Sequence, residues 1–524
     1  MTRQTGLCVC RLAALAALSA FCLWQGIDAA SAYFGSADAH RYLSDWRAAA
    51  RSAPDGKLAL MCKDAGRISP VDRSRLVAVS WERAPEPVGA VDASCPHKAD
   101  CVLSSKWTSR PVVEKLKSEG FSAVSENGYV TTWSRGGDAR RVKQGSTSGV
   151  PFWREIVALS AELALVVLGL SLATGLRNVG ILPPVVSVAV GVALGAVALS
   201  HSLLAPNGLG VYGGKGKMLF ECGGMPRPFL ESAGGMALQP SYPPGLALLA
   251  WLHFALSGGC GDRLVQLVVV FATAALCLAM LRKMSSPWTV PSVALFCLTP
   301  VAIRMASGFY AEPFAALSLI LGWSMIGDGR RFSGAIVMGL AGLFRLEAGV
   351  VAAAFAAGAG AFCVGRREKL LVMAASIAPA IAWLAACTAL GYGCPADWDF
   401  CKAPKFGQIA YAAWSETKAL GMHVLPMMAM ALMGSSGSWT RLARPWTNAA
   451  AALVPWAVLL LAIPISCGFH TSPNAEWMID NTIPRLVWQV SAVPLLALGT
   501  AIREERSTRR PLHFPLERAR RFGV

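Results

Sequence analysis

Charge is scarce in this sequence: 15% of its 524 residues are Asp, Glu, Lys or Arg, against about a quarter in a soluble domain. Acids are the scarcer sign, 31 against 48 Lys and Arg, for a formal net charge of +17. In a soluble chain that surplus points to nucleic acid. Here most cations sit in short loops and the C-terminal tail, where they orient a membrane protein, so nucleic acid is not an expected partner. The polar segment 28–151 holds no nucleophile elbow, no phosphate-binding Gly-rich loop and no His-Glu-x-x-His, which leaves it without chemistry of its own. Metal ligands are thin there too: Cys95, His97 and Cys101 lack a fourth partner.

Apolar residues make up 54% of the chain, and many windows of roughly twenty residues carry no charge, the mark of transmembrane helices. The basic start MTRQTGLCVCR leads into an apolar run from Leu12 to Ile27. It reads either as a signal peptide cleaved near Ala30-Ser31-Ala32 or as an uncleaved anchor, and in both cases it exports the polar segment 28–151. Later spans are read at about 153–175, 179–203, 262–281, 287–303, 308–327, 332–346, 348–365, 370–391, 419–435, 446–467 and 484–502. Within 28–151, "KLALMC", "RLVAVSW" and "GYVTTW" look like strands, and "RPVVEKLKSEGF" like a short amphipathic helix. The expected fold is an all-α polytopic membrane protein of about twelve transmembrane helices, with a small α+β extracytoplasmic domain inserted after the first. Its parts are an anchor at 1–27, the inserted domain at 28–151, a multi-span domain at 152–502 and a basic cytoplasmic tail at 503–524.

Charge parity sets the expected topology. With 28–151 outside, the clusters Arg282-Lys283, Arg330-Arg331 and Arg366-Arg367 and the basic tail all fall inside, provided that the apolar run 242–257 does not cross. That run begins at "YPPG" and is short, so it reads as a surface or re-entrant helix on the outer side of a cell membrane. The segments 205–245 and 392–418 then read as outer loops. Of the fifteen cysteines, Cys277, Cys297, Cys363 and Cys387 lie in apolar runs and read as small buried hydrophobes. The pairs Cys95/Cys101 and Cys394/Cys401 lie in polar segments and read as disulfides in an oxidising compartment.

Charges inside spans are expensive and mark function by default. Arg345, Glu347 and Glu312 are such charges, all at expected outer ends. Carboxylates mixed with cations suit a lipid phosphate beside a neutral hydroxyl. Trp398, Tyr411 and Trp414 read first as an interfacial aromatic belt.

Four stretches, in this order, resemble the GT-C superfamily of membrane glycosyltransferases over roughly residues 153 to 500. They are "VYGGKGKMLFECGGMP" with "YPPG" after it, "FYAEPFAALSL", "GLAGLFRLEAG" and "NTIPRLVWQVSAVP". The resemblance implies transfer of a sugar from a polyprenyl-phosphate donor, with inversion, to an acceptor on a glycan, lipid or protein, among membrane lipids. It implies Lys215, Lys217, Arg345 and Arg485 on the phosphate, with Tyr242 and Glu347 lining the site. No resident cofactor is expected, although some family members use a divalent metal; the first loop has no Asp-x-Asp, and Asp397 and Asp399 have that spacing elsewhere. The chain departs from the family at the first-loop Asp, whose position reads Asn207. An amide takes no proton at neutral pH, so Glu221, Glu231 or Glu312 would serve as the catalytic acid or base. The competing expectations are a transporter or flippase of lipid-linked sugar and a non-catalytic relative.

Overall fold

A computed structural model describes residues 45–50, 53, 58–61, 79, 88–91, 100–105, 110–127, 130–135, 150–174, 181–199, 207–224, 241–261, 264–284, 289–360, 365–390, 392, 403–433, 443–469 and 475–509. The anchor at 1–27 lies outside these residues. So do Cys95, His97, Glu231, Cys363, Cys394, Asp397, Trp398, Asp399 and Cys401.

Period-two alternation builds the inserted domain. Strands β1 (Leu58–Met61), β2 (Val88–Val91), β3 (Cys101–Ser105), β4 (Phe121–Asn127) and β5 (Val130–Arg135) form a mixed sheet of order β2-β1-β3-β5-β4. β1 runs parallel to β2 and β3, and β5 antiparallel to β3 and β4. Ala59, Val102 and Trp133 face α1 (Arg110–Ser118), which packs Leu116 against them. Leu58, Leu60 and Leu103 face the other way and cluster with Trp46. Two expected strands appear as β1 and β5. The run "RLVAVSW" is a correction: Val79, its one described residue, is helical. A short apolar run reads alike in a buried strand and a buried helix.

The rest is helical: α2 (Phe152–Thr174), α3 (Leu182–Leu199), a π-helical segment (Asn207–Gly214), α4 (Lys215–Cys222), α5 (Gly245–Ser257), α6 (Leu267–Met284), α7 (Thr289–Cys297), α8 (Pro300–Ser307), α9 (Glu312–Gly327), α10 (Arg331–Gly339), α11 (Ala341–Phe344), α12 (Leu346–Ala359), α13 (Arg366–Leu390), α14 (Phe406–His423), α15 (Leu425–Met433), α16 (Ala443–Cys467) and α17 (Ala475–Arg509). Among the described residues five helices are long and apolar enough to cross a membrane: α3, α6, α13, and parts of α16 and α17. A sixth forms if α7 and α8, bent by 47°, count as one span. This is a helical membrane protein.

Several expected spans fold as shorter helices, for local reasons. Thr299 is extended before Pro300 and splits 287–303. Arg345, at φ −144° and ψ 128°, separates α11 from α12. α5 has 13 residues, about 20 Å at 1.5 Å per residue, short of the ~30 Å hydrocarbon core.

Two expected loops are corrected. Residues 207–222 and 406–418 are helical rather than loop. Their polar composition hides the pattern, yet Ala412, Ser415, Glu416, Ala419 and His423 recur at helical spacing and form the buried stripe of α14. The tail begins as helix too, since α17 runs on to Arg509.

Burial divides the helices by role. The apolar parts of α6 and α17 are mostly enclosed. By contrast α2, α3, α13 and α16 expose large apolar side chains such as Leu165, Val192, Leu371 and Val458. Lipid is the solvent that makes such a surface stable. Inside, small residues bring backbones into contact, as between Gly322 of α9 and Gly334 of α10.

Candidate functional site

The Ser241-Tyr242-Pro243-Pro244 corner is tied down by its carbonyls. Trp383 Nε1 of α13 donates to Ser241 O at 2.9 Å, and Lys215 Nζ of α4 donates to Tyr242 O at 3.0 Å. Glycines permit these approaches. A Cβ on Gly216 would lie 2.6 Å from Ala250 Cβ, and one on Gly245 would lie 2.6 Å from Leu343 O. So α4 lies on α5, and the start of α5 sits on α11. The Tyr242 ring is then flanked by Lys215 Nζ at 5.9 Å and the Arg345 guanidinium at 5.8 Å from its centroid, both within cation–π reach.

Arg345 joins this corner to α9 and α12. Its Nη2 donates to Glu347 Oε1 at 3.0 Å, and its Nη1 stands 3.3 Å from Glu312 Oε1. Arg485 Nη1 of α17 donates to the same Glu312 oxygen at 2.8 Å. Arg485 Nε donates to Asn481 O at 2.5 Å, and its guanidinium stacks 4.6 Å from the Tyr310 centroid. Arg304 donates to the side chain of Asn481. One carboxylate oxygen thus brackets two arginines. The other, Oε2, is buried without a hydrogen-bond partner among the described residues, as is Arg345 Nε. Buried unsatisfied atoms are rare and call for an explanation; Oε2 needs a donor, such as a ligand hydroxyl, and Nε an acceptor, such as a hydroxyl or phosphate oxygen.

The turn before Glu312 is strained. Phe309 has φ +55°, the one positive value outside glycine among the described residues. It is fully buried, which holds it there. Gly308 leaves room for Tyr310, whose ring carbon Cε2 would lie 2.3 Å from an added Cβ. After this turn both Tyr310 and Glu312 contact Arg485.

The expected site residues divide. Lys215, Tyr242, Glu312, Arg345, Glu347 and Arg485 come together. Lys217 and Glu221 stand elsewhere, paired with each other at 3.8 Å, with the Cys260 thiol 3.8 Å from Glu221. Residues two apart on a helix point to opposite sides, so Lys215 and Lys217 cannot serve one ligand alike. Burial pushes the Glu221 carboxyl up, and Lys217 opposes the shift. Sequence reasoning missed Tyr212, whose burial pushes its phenol up beside Arg345 and Glu312. It also missed Tyr310. Their signal was an aromatic beside each motif, too common to single out.

Two further buried groups lie apart. His253 Nδ1 of α5 meets Glu162 Oε2 of α2 at 3.0 Å. On α14, burial lifts the Glu416 carboxyl to about 7, and its Oε2 has no partner among the described residues. A folded-state value raised above the unfolded one stabilises below about pH 4.5, and that stabilisation is lost as pH rises through 7. Glu416→Gln should therefore flatten part of the pH dependence: between pH 5 and 8 the wild-type melting midpoint should fall by roughly 2–4 °C more than that of the variant. Thermal melts of both proteins check this.

Among the described residues no group of three or more His, Cys, Asp or Glu side chains is placed to hold a metal. Set against known protein families, curated proteins and solved structures, the chain matches none.

Proposed function

We propose that the chain is a GT-C-like membrane glycosyltransferase of about twelve spans that moves a sugar from a polyprenyl phosphate to an extracytoplasmic acceptor, with inversion. One observation carries the reading. Four stretches far apart in sequence, marked by Lys215 with Tyr242, Glu312, Arg345 and Arg485, converge on one buried cluster.

The cluster's chemistry supports a phosphate leaving group. Such a group departs with negative charge and needs cations more than it needs a proton. Arg345 and Arg485 each carry five N–H donors in a planar fork, and those not engaged by Glu312, Glu347 and Asn481 suit phosphate oxygens. Glu312 holds the two guanidiniums together before substrate arrives. Tyr242 and Tyr310, each under a guanidinium, fix the planes of the forks.

Purified protein incubated with polyprenyl-phosphate sugars should release polyprenyl phosphate. Glu312→Gln should slow release on the order of tenfold or more, because the arginine bracket weakens. Glu221→Gln should leave the rate within about twofold, since Glu221 stands outside the cluster. Absence of release with every donor sinks the reading, and transport without cleavage replaces it with a flippase.

A further inference from the structure

None of the carboxylates among the described residues is placed as the base that takes the acceptor's proton. Glu312 is enclosed, and its Oε1 is shared by two arginines. Glu347 is paired with Arg345, and Glu221 stands in the other cluster. The first-loop position that carries Asp in the resembled family reads Asn207.

We propose that Lys215 is the proton acceptor of the transfer. The proposal rests on the glycosyltransferase reading and names the proton's destination within it. Lys215 is 2% exposed and has no carboxylate within ion-pair distance among the described residues. Its one hydrogen bond among the described residues goes to Tyr242 O. A neutral amine makes that bond with one N–H and keeps its lone pair for a proton. The charged and titratable groups around it are Tyr242 at the corner, Cys387 on α13 and Arg345, which approaches the same Tyr242 ring. Burial lowers the Lys215 value to about 7, and Cys387, the one neighbour that favours an ammonium there, does not offset it. A base is most effective when it titrates near the working pH.

The step balances. The acceptor oxygen bonds to the anomeric carbon, and the bond from that carbon to the phosphate oxygen breaks. Its electron pair leaves on the phosphate, and the acceptor proton passes to Lys215 Nζ. A phosphodiester monoanion becomes a phosphomonoester dianion as a neutral amine becomes an ammonium. The new positive charge thus arises beside the new negative one, while Arg345 and Arg485 hold the phosphate throughout.

Lysine acting only as a charge and lysine acting as a base differ in what arginine can replace, because arginine keeps its proton at any working pH. Initial rates of polyprenyl-phosphate release by the full-length protein in lipid nanodiscs, from pH 5.5 to 9, separate the two. Wild type should speed up as pH rises through about 7 and then level off. Lys215→Arg should bind polyprenyl phosphate within about threefold of wild type, yet turn over about a hundredfold more slowly and without that rise. Lys215→Met should be as slow. If Lys215→Arg keeps a third or more of the rate with an unchanged pH profile, Lys215 is only a phosphate charge and the proposal is overturned alone. A wild type that releases no polyprenyl phosphate from any donor overturns it together with the proposed function.

Discussion

Arg485→Ala should cost roughly 2–4 kcal/mol of stability and slow polyprenyl-phosphate release by on the order of 10²–10³. The stability figure comes from burial. Glu312 is 0% exposed and loses its 2.8 Å partner. Stripping all compensation from a buried charge typically costs about 3–5 kcal/mol; Arg345, still 3.3 Å away, moderates that. On the proposed reading the rate figure comes from the leaving group, which would lose one of two guanidiniums where its charge develops. Pairing the change with Glu312→Gln should separate the two effects. The double variant should recover most of the melting temperature, because no charge is left bare, and none of the activity. Recovery of both would show that Arg485 acts through Glu312 alone.

Gly322→Val should be as damaging, from a distance. A Cβ at Gly322 would stand 2.5 Å from Gly334 O and 2.5 Å from Met338 Cβ. Neither obstacle rotates away, because one is backbone and the other a β-carbon fixed to it. The cost should exceed the roughly 1–3 kcal/mol of ordinary overpacking. α9 carries Glu312 at its start, and α10 leads through α11 to Arg345. Prising α9 from α10 therefore opens the Glu312–Arg345 pair, and release should fall at least about tenfold. Melting curves and release rates of Gly322→Ala and Gly322→Val should worsen in that order. A fully active Gly322→Val would show that this contact does not position the cluster.

The charged residues of the site were legible because burying charge in an apolar span is costly, and Arg345, Glu347 and Glu312 stand out for that reason alone. Their pairing was not, since it depends on how α9, α12 and α17 pack. The strained Phe309 had no signal at all: nothing in "SGFYAEP" announces a left-handed residue that is not glycine. The resemblance groups Lys217 with the site through its Lys-Gly-Lys pair and Glu221 as a replacement for the acid missing at Asn207, and the turn of one short helix separates both from it. The polar stretch of α14 reads as loop by composition, while its spacing of Ala412, Ser415, Glu416, Ala419 and His423 reads as helix. Spacing won because the stripe had α16 and α17 to pack against. The lipid-facing helices were the plainest of all, being apolar on sides that no other described part of the chain covers.

α17 carries Arg485 and continues without a break to Arg509, about 36 Å further along its axis and more than the ~30 Å thickness of hydrocarbon. It holds prolines at 484 and 494, each removing a backbone hydrogen bond and permitting a bend. The guanidinium at the site is thus mounted on one end of a jointed rod as long as a bilayer is thick. A few degrees of tilt at Pro494 would turn the Arg485 part of the helix against its Arg509 end.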